Sequence, residues 1–248
     1  MSVLFDTFPV LLAGCREELR LNKVRVLEEP GDVMLYQSPG TGLLMSAALD
    51  PDREIRVLKQ HTEVPHPLVV TNNKETAAFI KDTYGLDEIL PCRTTAILNS
   101  ETGASVAENT DRPAGSLGAD LPFTIRPAAL SDLDFIYRYY QVLPKDLLSD
   151  LIRKDHLVIA EQSGRPAGFA GRHAEGSLGL LEVLPEYRRR GLATMLEQYF
   201  IRKIRGAGEV PYCYVAEDNE ASLALQRKVG MAISDELFYW CTPGVGKY

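Results

Sequence analysis

The sequence predicts an α/β fold of mixed α+β character: a mixed sheet flanked by helices in the second half, and a smaller α/β domain in the first. Three observations carry the prediction. Strand-like apolar runs alternate with helix-period runs along both halves. Residues 99–121 are rich in Ser, Gly, Thr, Asn and Asp, contain Pro113, and show little apolar periodicity, as a linker does. Past them, an apolar strand pattern at 178–183 runs into three arginines, a glycine and an amphipathic helix. The expected division is an N-terminal α/β domain over 1–121, with its linker at about 99–121, and a second domain over 122–248.

In the first half an amphipathic run at 12–21 predicts a helix. Residues 37–42, Gln-Ser-Pro-Gly-Thr-Gly, read as the turn between strands at 33–36 and 43–48. Residues 68–71 read as a buried strand, 75–84 as a helix with Gly85 just past its end, and 93–98 as another strand. The second half opens with a short strand at 123–126. Ser131 is placed as the cap of a helix over 132–140, and a second helix follows at 145–153. Strands at 157–161 and 167–172 meet at Ser163-Gly164, and the strand at 178–183 is ended by Pro185. The helix at 191–205 carries Leu192, Met195, Leu196, Tyr199 and Phe200 at helical spacing. A strand at 212–215, a helix at 221–229 closed by Gly230, and a strand at 236–240 complete the order.

Charge narrows the function classes. The 248 residues carry a formal net charge of −7. Residues 1–122 hold 11 basic and 18 acidic side chains, and the remainder holds 16 of each. An acidic chain lacks the cations that neutralise phosphates, so no nucleic-acid partner is expected. No apolar run approaches the roughly 18 residues that span a bilayer, so no membrane partner is expected either. The first residues lack a basic stretch ahead of their apolar ones, as a secretory signal would have. Cys15, Cys92, Cys213 and Cys241 are far apart and form no Cys-x-x-Cys pair, which argues against a metal site or a disulfide scaffold. A reducing, cytoplasmic setting is the expectation. His61 and His66 read as surface residues.

The chemistry lies in residues 178–194. The first N–H groups of a helix have no intrahelical partner and carry the positive end of its dipole. Gly191 lets a ligand approach the backbone closely. Arg188, Arg189 and Arg190 add fork-shaped donors suited to phosphate oxygens. Together they read as a pyrophosphate cradle at a helix N-terminus.

Leu184-Pro-Glu-Tyr-Arg-Arg-Arg-Gly-Leu-Ala193 resembles the acyl-CoA motif of the GNAT superfamily of N-acetyltransferases, Q/R-x-x-G-x-G/A. Residues 218–231, beginning Asp218-Asn219-Glu220-Ala221-Ser222, resemble the family's second CoA-side motif. Residues 123–132 resemble its usual opening. The run from Gly208 to Ala221 is similar to the glycine N-acyltransferase-like branch, whose members carry a separate N-terminal α/β half. By position, the resemblance implies that Leu181, Glu182 and Val183 run along the pantetheine arm. A bulge there splays the strand from 212–215, and the Val183 N–H polarises the thioester carbonyl. Arg188, Arg189, Arg190, Gly191, Leu192, Ala193 and Thr194 would hold the pyrophosphate. Asn219 and Ser222 would face the arm, and Lys228 would reach the nucleotide phosphates.

The chain also departs from the family pattern. Gln226 stands where the family has a tyrosine that protonates the leaving thiolate, and Ser177 where many members have a basic glutamate. The catalytic candidates left are Ser177, the nearby Glu175, and Tyr214, which shares a strand face with Tyr212. Tyr137 and Tyr140 would share a helix face near the acceptor. His156 and His173 read as hydrogen-bonded structural residues, and Cys213 as core. The expected activity is transfer of an acetyl or other short acyl group from acyl-CoA, most simply acetyl-CoA, to a primary amine by direct attack. A small-molecule amine is expected over a protein acceptor, with no metal, and a homodimer is compatible with the sequence. The rival reading is a non-catalytic CoA-binding or sensing module.

Overall fold

The computed structural model describes residues 2–39, 41–61, 68–98 and 122–243. The first half runs α1 (Val3–Thr7), α2 (Ala13–Arg20), β1 (Arg25–Glu28), β2 (Val33–Gln37), β3 (Leu43–Ala48), α3 (Pro51–Gln60), β4 (Leu68–Thr71), α4 (Lys74–Tyr84) and β5 (Glu88–Ala96). The second runs β6 (Thr124–Pro127), α5 (Leu133–Tyr139), α6 (Lys145–Arg153), β7 (Leu157–Gln162), β8 (Arg165–Arg172), β9 (Leu178–Val183), α7 (Leu192–Gly206), β10 (Tyr212–Ala216), α8 (Glu220–Lys228), β11 (Ala232–Ile233) and β12 (Phe238–Thr242). The predicted mixed sheet flanked by helices is the fold observed.

Local chemistry explains most of the boundaries. Asp50 accepts the N–H of Asp52 and, with Pro51 behind it, starts α3, a helix the sequence reading passed over. Gly85 and Gly230 adopt φ of 68° and 86° past the ends of α4 and α8. The helix predicted at 132–140 begins with a short 3₁₀ turn, Leu130–Asp132. Its start is fixed by Asp132, not Ser131: the Asp132 carboxylate accepts the Ala129 N–H at 2.8 Å and the Arg126 guanidinium at 2.7 Å. Short strands β1 and β11 carry too little apolar alternation to be read from sequence. The predicted linker lies outside the described residues.

The strands of both halves join one sheet in the order β1-β2-β3-β4-β12-β5-β10-β9-β8-β7-β6, with β11 also paired to β5. The closing strands are exchanged. β12, the last strand of the second half, sits between β4 and β5. β5, from the first half, sits against β10 and β11. Strand directions read the same outward from the β12–β5 pair: antiparallel to β4 and to β10, parallel for β3–β4 and β9–β10, then antiparallel. The helices keep that relation. α3 and α4 cover the first half's sheet on one face, packing on Leu35, Leu44, Val69 and Cys241, while α1 and α2 cover the other on Met34, Tyr36, Val70 and Phe238. In the second half α7 packs on Leu178, Cys213 and Val215, and α5 and α6 pack on Leu157, Phe169 and Leu180. The halves therefore resemble one another about a pseudo-twofold axis between β12 and β5.

Candidate active site

Residue by residue, β9 changes phase at Leu180. Leu178 packs in the α7 core and Leu180 in the α5/α6 core, although residues two apart on a regular strand share a face. Leu180 has φ +53°, and the β8–β9 register slips between Phe169 and Gly171. This is a β-bulge, and it bends the strand. In consequence β9 meets β10 only at Leu178–Cys213, leaving a wedge that opens toward Val183. Leu184 donates its N–H to Ala167 on β8 at 3.0 Å. Because successive N–H groups of a strand point to opposite edges, the Val183 N–H points into the wedge.

The wedge opens onto the N-terminus of α7. Gly191 caps that helix at φ +84°, and Arg189 before it has φ +62°. A side chain at Gly191 would be strained in this conformation. No acidic residue lies in the first turn of α7. Arg188 and Arg189 are exposed. Arg188 donates to the Val183 carbonyl at 2.9 Å and pairs with Glu182 at 3.0 Å, which fixes it beside the mouth of the wedge. The Arg190 guanidinium instead lies over the rings of Phe123 and Tyr187, at 5.1 and 5.7 Å. Leu192 is buried core, while Ala193 and Thr194 stay partly accessible in the first turn. Asn219 caps α8 by accepting the Ser222 N–H at 3.0 Å, so these two predicted residues are tied to one another. Lys228 is exposed in the last turn of α8. An acyl-CoA fits this arrangement: an open strand edge for the arm, then free N–H groups and arginines for the phosphates.

The corresponding place in the first half is closed. β3 and β4 pair at three successive positions, with no wedge. The N-terminus of α3 carries Asp50, Asp52 and Glu54, which would repel a phosphate. Glu54 is fully buried, and its carboxylate accepts from Ser46, Thr71, Asn73 and Thr76 at 2.6–2.7 Å. Burial nevertheless raises its pKa, these hydrogen bonds offsetting part of the cost.

At the closed end of the wedge, a tight turn brings Glu175 and Ser177 together, with the Ser177 hydroxyl donating to the Glu175 carboxylate at 2.5 Å. The Tyr212 hydroxyl donates to the Glu175 carbonyl at 3.0 Å. Tyr212 and Tyr214 share one face of β10, as alternation predicts, and α2 of the first half covers them. A Cβ at Gly14 would lie 2.6 Å from both the Tyr212 ring and the Tyr214 hydroxyl. Tyr214 meets Tyr212, Phe238 and Trp240 edge to face, and its hydroxyl is buried without a hydrogen-bond partner among the described residues. Burial raises the pKa of both phenols well above the ordinary value. On the same side lies Glu18, which no local pattern singles out. It is 2% exposed and its pKa is pushed up to about 8, first by burial and also by the charge of Glu175. Ser38 donates to one Glu18 oxygen at 2.8 Å, and the other, Oε1, has no partner.

Other candidates fall into place. Cys213 is core, in contact with the Thr95 hydroxyl at 3.1 Å. Gln226, at the family's tyrosine position, is buried and donates to Glu197 at 2.8 Å. Tyr137 and Tyr140 pack into the α5/α6 core while Tyr139 is exposed. Burial and then the Glu175 charge push Tyr140 up to about 12. His173 lies against Gly179. His156 lines a separate cavity of about 200 Å³ with Arg172 and Lys203, and burial lowers its pKa. His61 closes α3, and His66 lies outside the described residues.

Residues 159–240 match the model of the FR47-like protein family. No curated protein matches the chain. Among solved structures, a Drosophila protein superposes with a TM-score of 0.60 at 18% identity, covering 94% of this chain and 89% of its own. A GCN5-related N-acetyltransferase-like protein from Streptococcus suis gives 0.53 at 15%, covering 91% and 98%. A GCN5-related N-acetyltransferase from Kribbella flavida gives 0.53 at 13%, covering 98% and 97%. The likeness spans both halves. The GNAT resemblance carried by residues 123–231 is borne out, and the chain has the fold of the GNAT superfamily.

Proposed function

We propose that the chain transfers an acetyl or other short acyl group from acyl-CoA to a primary amine. One observation carries the reading: the bulged, single-contact β9–β10 pair opens a wedge that ends at the arginine-flanked, glycine-capped N-terminus of α7. Phosphates held at that helix end send the arm along β9 toward Leu178, about 16 Å at roughly 3.3 Å per residue. Bound acyl-CoA supplies an activated thioester. The Val183 N–H, aimed into the wedge, bonds the arm on its way, and a β9 edge N–H deeper in the wedge stabilises charge on the carbonyl oxygen in the transition state.

The amine attacks the thioester carbon directly. The C–N bond forms, the C–S bond breaks, and the thiolate leaves. Of the two protons lost by the ammonium, one ends on the thiol and the other reaches solvent. Gln226 supplies no acid, since an amide does not donate a proton in this range and its own N–H is held by Glu197. Positioning and the oxyanion donor carry the rate. Small amines suit the enclosed Glu175–Ser177 turn better than a polypeptide.

Isothermal titration with acetyl-CoA and a free-thiol assay over a panel of primary amines test the proposal. Saturable binding with amine-dependent thiol release is the expected result. Binding without release from any amine identifies a sensor instead, and absence of binding removes both readings.

A further inference from the structure

The first half has no donor site of its own, yet it sends α2 across β10 and into contact with the closed end of the wedge. There, among the described residues, a small cavity of about 40 Å³ is lined by Glu18, Lys23, Ser38 and Thr41 from the first half and by Ala174 and Glu175 from the second. One buried polar atom of its lining, Glu18 Oε1, has no hydrogen-bond partner among the described residues. Buried polar atoms are nearly always paired, so this orphan on the cavity wall marks a position that a ligand completes. The carboxyl groups of Glu18 and Glu175 line it together with the Lys23 side chain, and their oxygens offer acceptors to a small amine.

We infer that Glu18 is the catalytic base of the acyl transfer, contributed across the junction by the first half, and that Glu18 and Glu175 together hold the acceptor as a small primary ammonium. The inference rests on the acyltransferase reading above and deepens it.

The placement supports the role. Ser177, bonded to Glu175, directly precedes β9, and Tyr212, bonded to the Glu175 carbonyl, opens β10. Glu18 therefore lies beside the Leu178–Cys213 apex, toward which an acyl group carried along β9 is directed. The ammonium gives one proton to Glu18, the neutral amine attacks, the second proton passes to the departing thiolate, and Glu18 returns its proton to solvent.

The surroundings leave few competing charges. Glu18 faces Cys15 on its own helix, Lys23 beyond it, Tyr36 and Ser38 from the β2 end, Tyr212 and Tyr214 from β10, and Glu175 from the turn. Tyr140 faces Glu175 from behind. The thiol and the four phenols are held neutral by burial, and charge reaches Glu18 from Glu175, from the exposed Lys23 and, past Tyr212, from the Arg172 guanidinium beside Gly176. Burial and the Glu175 carboxylate place the Glu18 titration near 8, where a base accepts and releases a proton readily.

The test compares wild type, Glu18→Gln and Glu18→Asp, with acetyl-CoA as donor and ethanolamine, glycinamide and putrescine as probe amines. Gln is isosteric and keeps a group for Ser38 to donate to, so it separates base chemistry from packing. The expected result is that acetyl-CoA affinity by titration stays within about twofold in all three. Meanwhile kcat/KM for thiol release falls at least roughly a hundredfold in Glu18→Gln. In wild type kcat/KM declines as pH falls below about 8. That acid limb disappears in Glu18→Gln and survives, at lower rate, in Glu18→Asp. Wild-type turnover and an unchanged acid limb in Glu18→Gln overturn the role of Glu18 while leaving the acyltransferase reading intact. Wild-type binding of acetyl-CoA with no release from any amine overturns the amine site, and no acetyl-CoA binding overturns the acyltransferase reading itself.

Discussion

Glu18 also makes a prediction that needs no substrate. In an unfolded chain its carboxyl titrates near 4.5, and in the fold near 8. A group whose folded pKa is raised favours the folded state at low pH, and that contribution is lost as pH rises through the folded value. The affected window runs from about 4.5 to about 8. At about 1.4 kcal/mol per pKa unit, the full displacement is worth up to about 5 kcal/mol, an upper bound because water and side-chain relaxation soften buried charge. The Glu18→Gln variant keeps the shape and the Ser38 contact but no longer titrates. Urea unfolding of both proteins below pH 4.5 and at pH 5.5, 7 and 8.5 reads the difference. Relative to their difference below pH 4.5, the variant should gain about 1 kcal/mol by pH 5.5 and a few kcal/mol by pH 8.5. Glu54 and Glu197, also raised by burial, bend both curves alike and cancel in the comparison. Parallel pH–stability curves for the two proteins would refute the reasoning.

Three further changes probe the donor site and the junction. Arg188→Ala removes a charged donor at the wedge mouth and should weaken acetyl-CoA binding roughly ten- to a hundredfold, less at high salt, by titration at two ionic strengths. Gly191→Val forces a β-branched residue into φ +84° at the helix cap and should weaken binding in a way nearly independent of salt, read in the same titrations. Gly14→Val places atoms within 2.6 Å of the Tyr212 ring and the Tyr214 hydroxyl; a loss of about 1–3 kcal/mol in urea unfolding is expected.

The local structure of the candidate donor side is legible because its parts are contiguous. A strand, three arginines, a glycine and a helix lie within residues 178–206, and local rules suffice to read them as a phosphate-facing helix start. The wedge is implied by the family resemblance alone, since the residue that makes it, Leu180 in a left-handed conformation, carries no compositional mark. Glu18 was hidden for the opposite reason. On α2 it reads as one acid in Arg16-Glu17-Glu18, an ordinary solvated helix face, and nothing local says that Glu17 and Glu18 are both buried. The information is tertiary: Ser38, Glu175 and Tyr212 come to it from 20 to nearly 200 residues away. Asp132 shows the same failure on a small scale, since Arg126 and the Ala129 N–H decide the cap over the nearer serine.

The exchanged strands set a limit on dividing the molecule. Sequence composition invites a cut at residues 99–121, with the second half taken as a self-sufficient acyl-CoA domain. In the sheet, however, β10 is flanked by β9 at a single position and by β5 at five, so β5 provides most of its pairing. β11 pairs with β5 as well, and among the described residues β12 pairs only with β4 and β5. A fragment of residues 122–248 would leave the outer edge of β10 unpaired and β12 without either neighbour. It would also expose the faces of Tyr212 and Phe238 that α1, α2 and the first half's strands now cover. Open apolar edges of this kind drive association. The expected result is that the fragment alone is aggregated or unfolded by size-exclusion chromatography and circular dichroism. Co-expression with residues 1–98 should restore a soluble complex that binds acetyl-CoA. A monomeric fragment that unfolds cooperatively and binds acetyl-CoA with full affinity would show that the exchange contributes little, and that the first half serves the acceptor side alone.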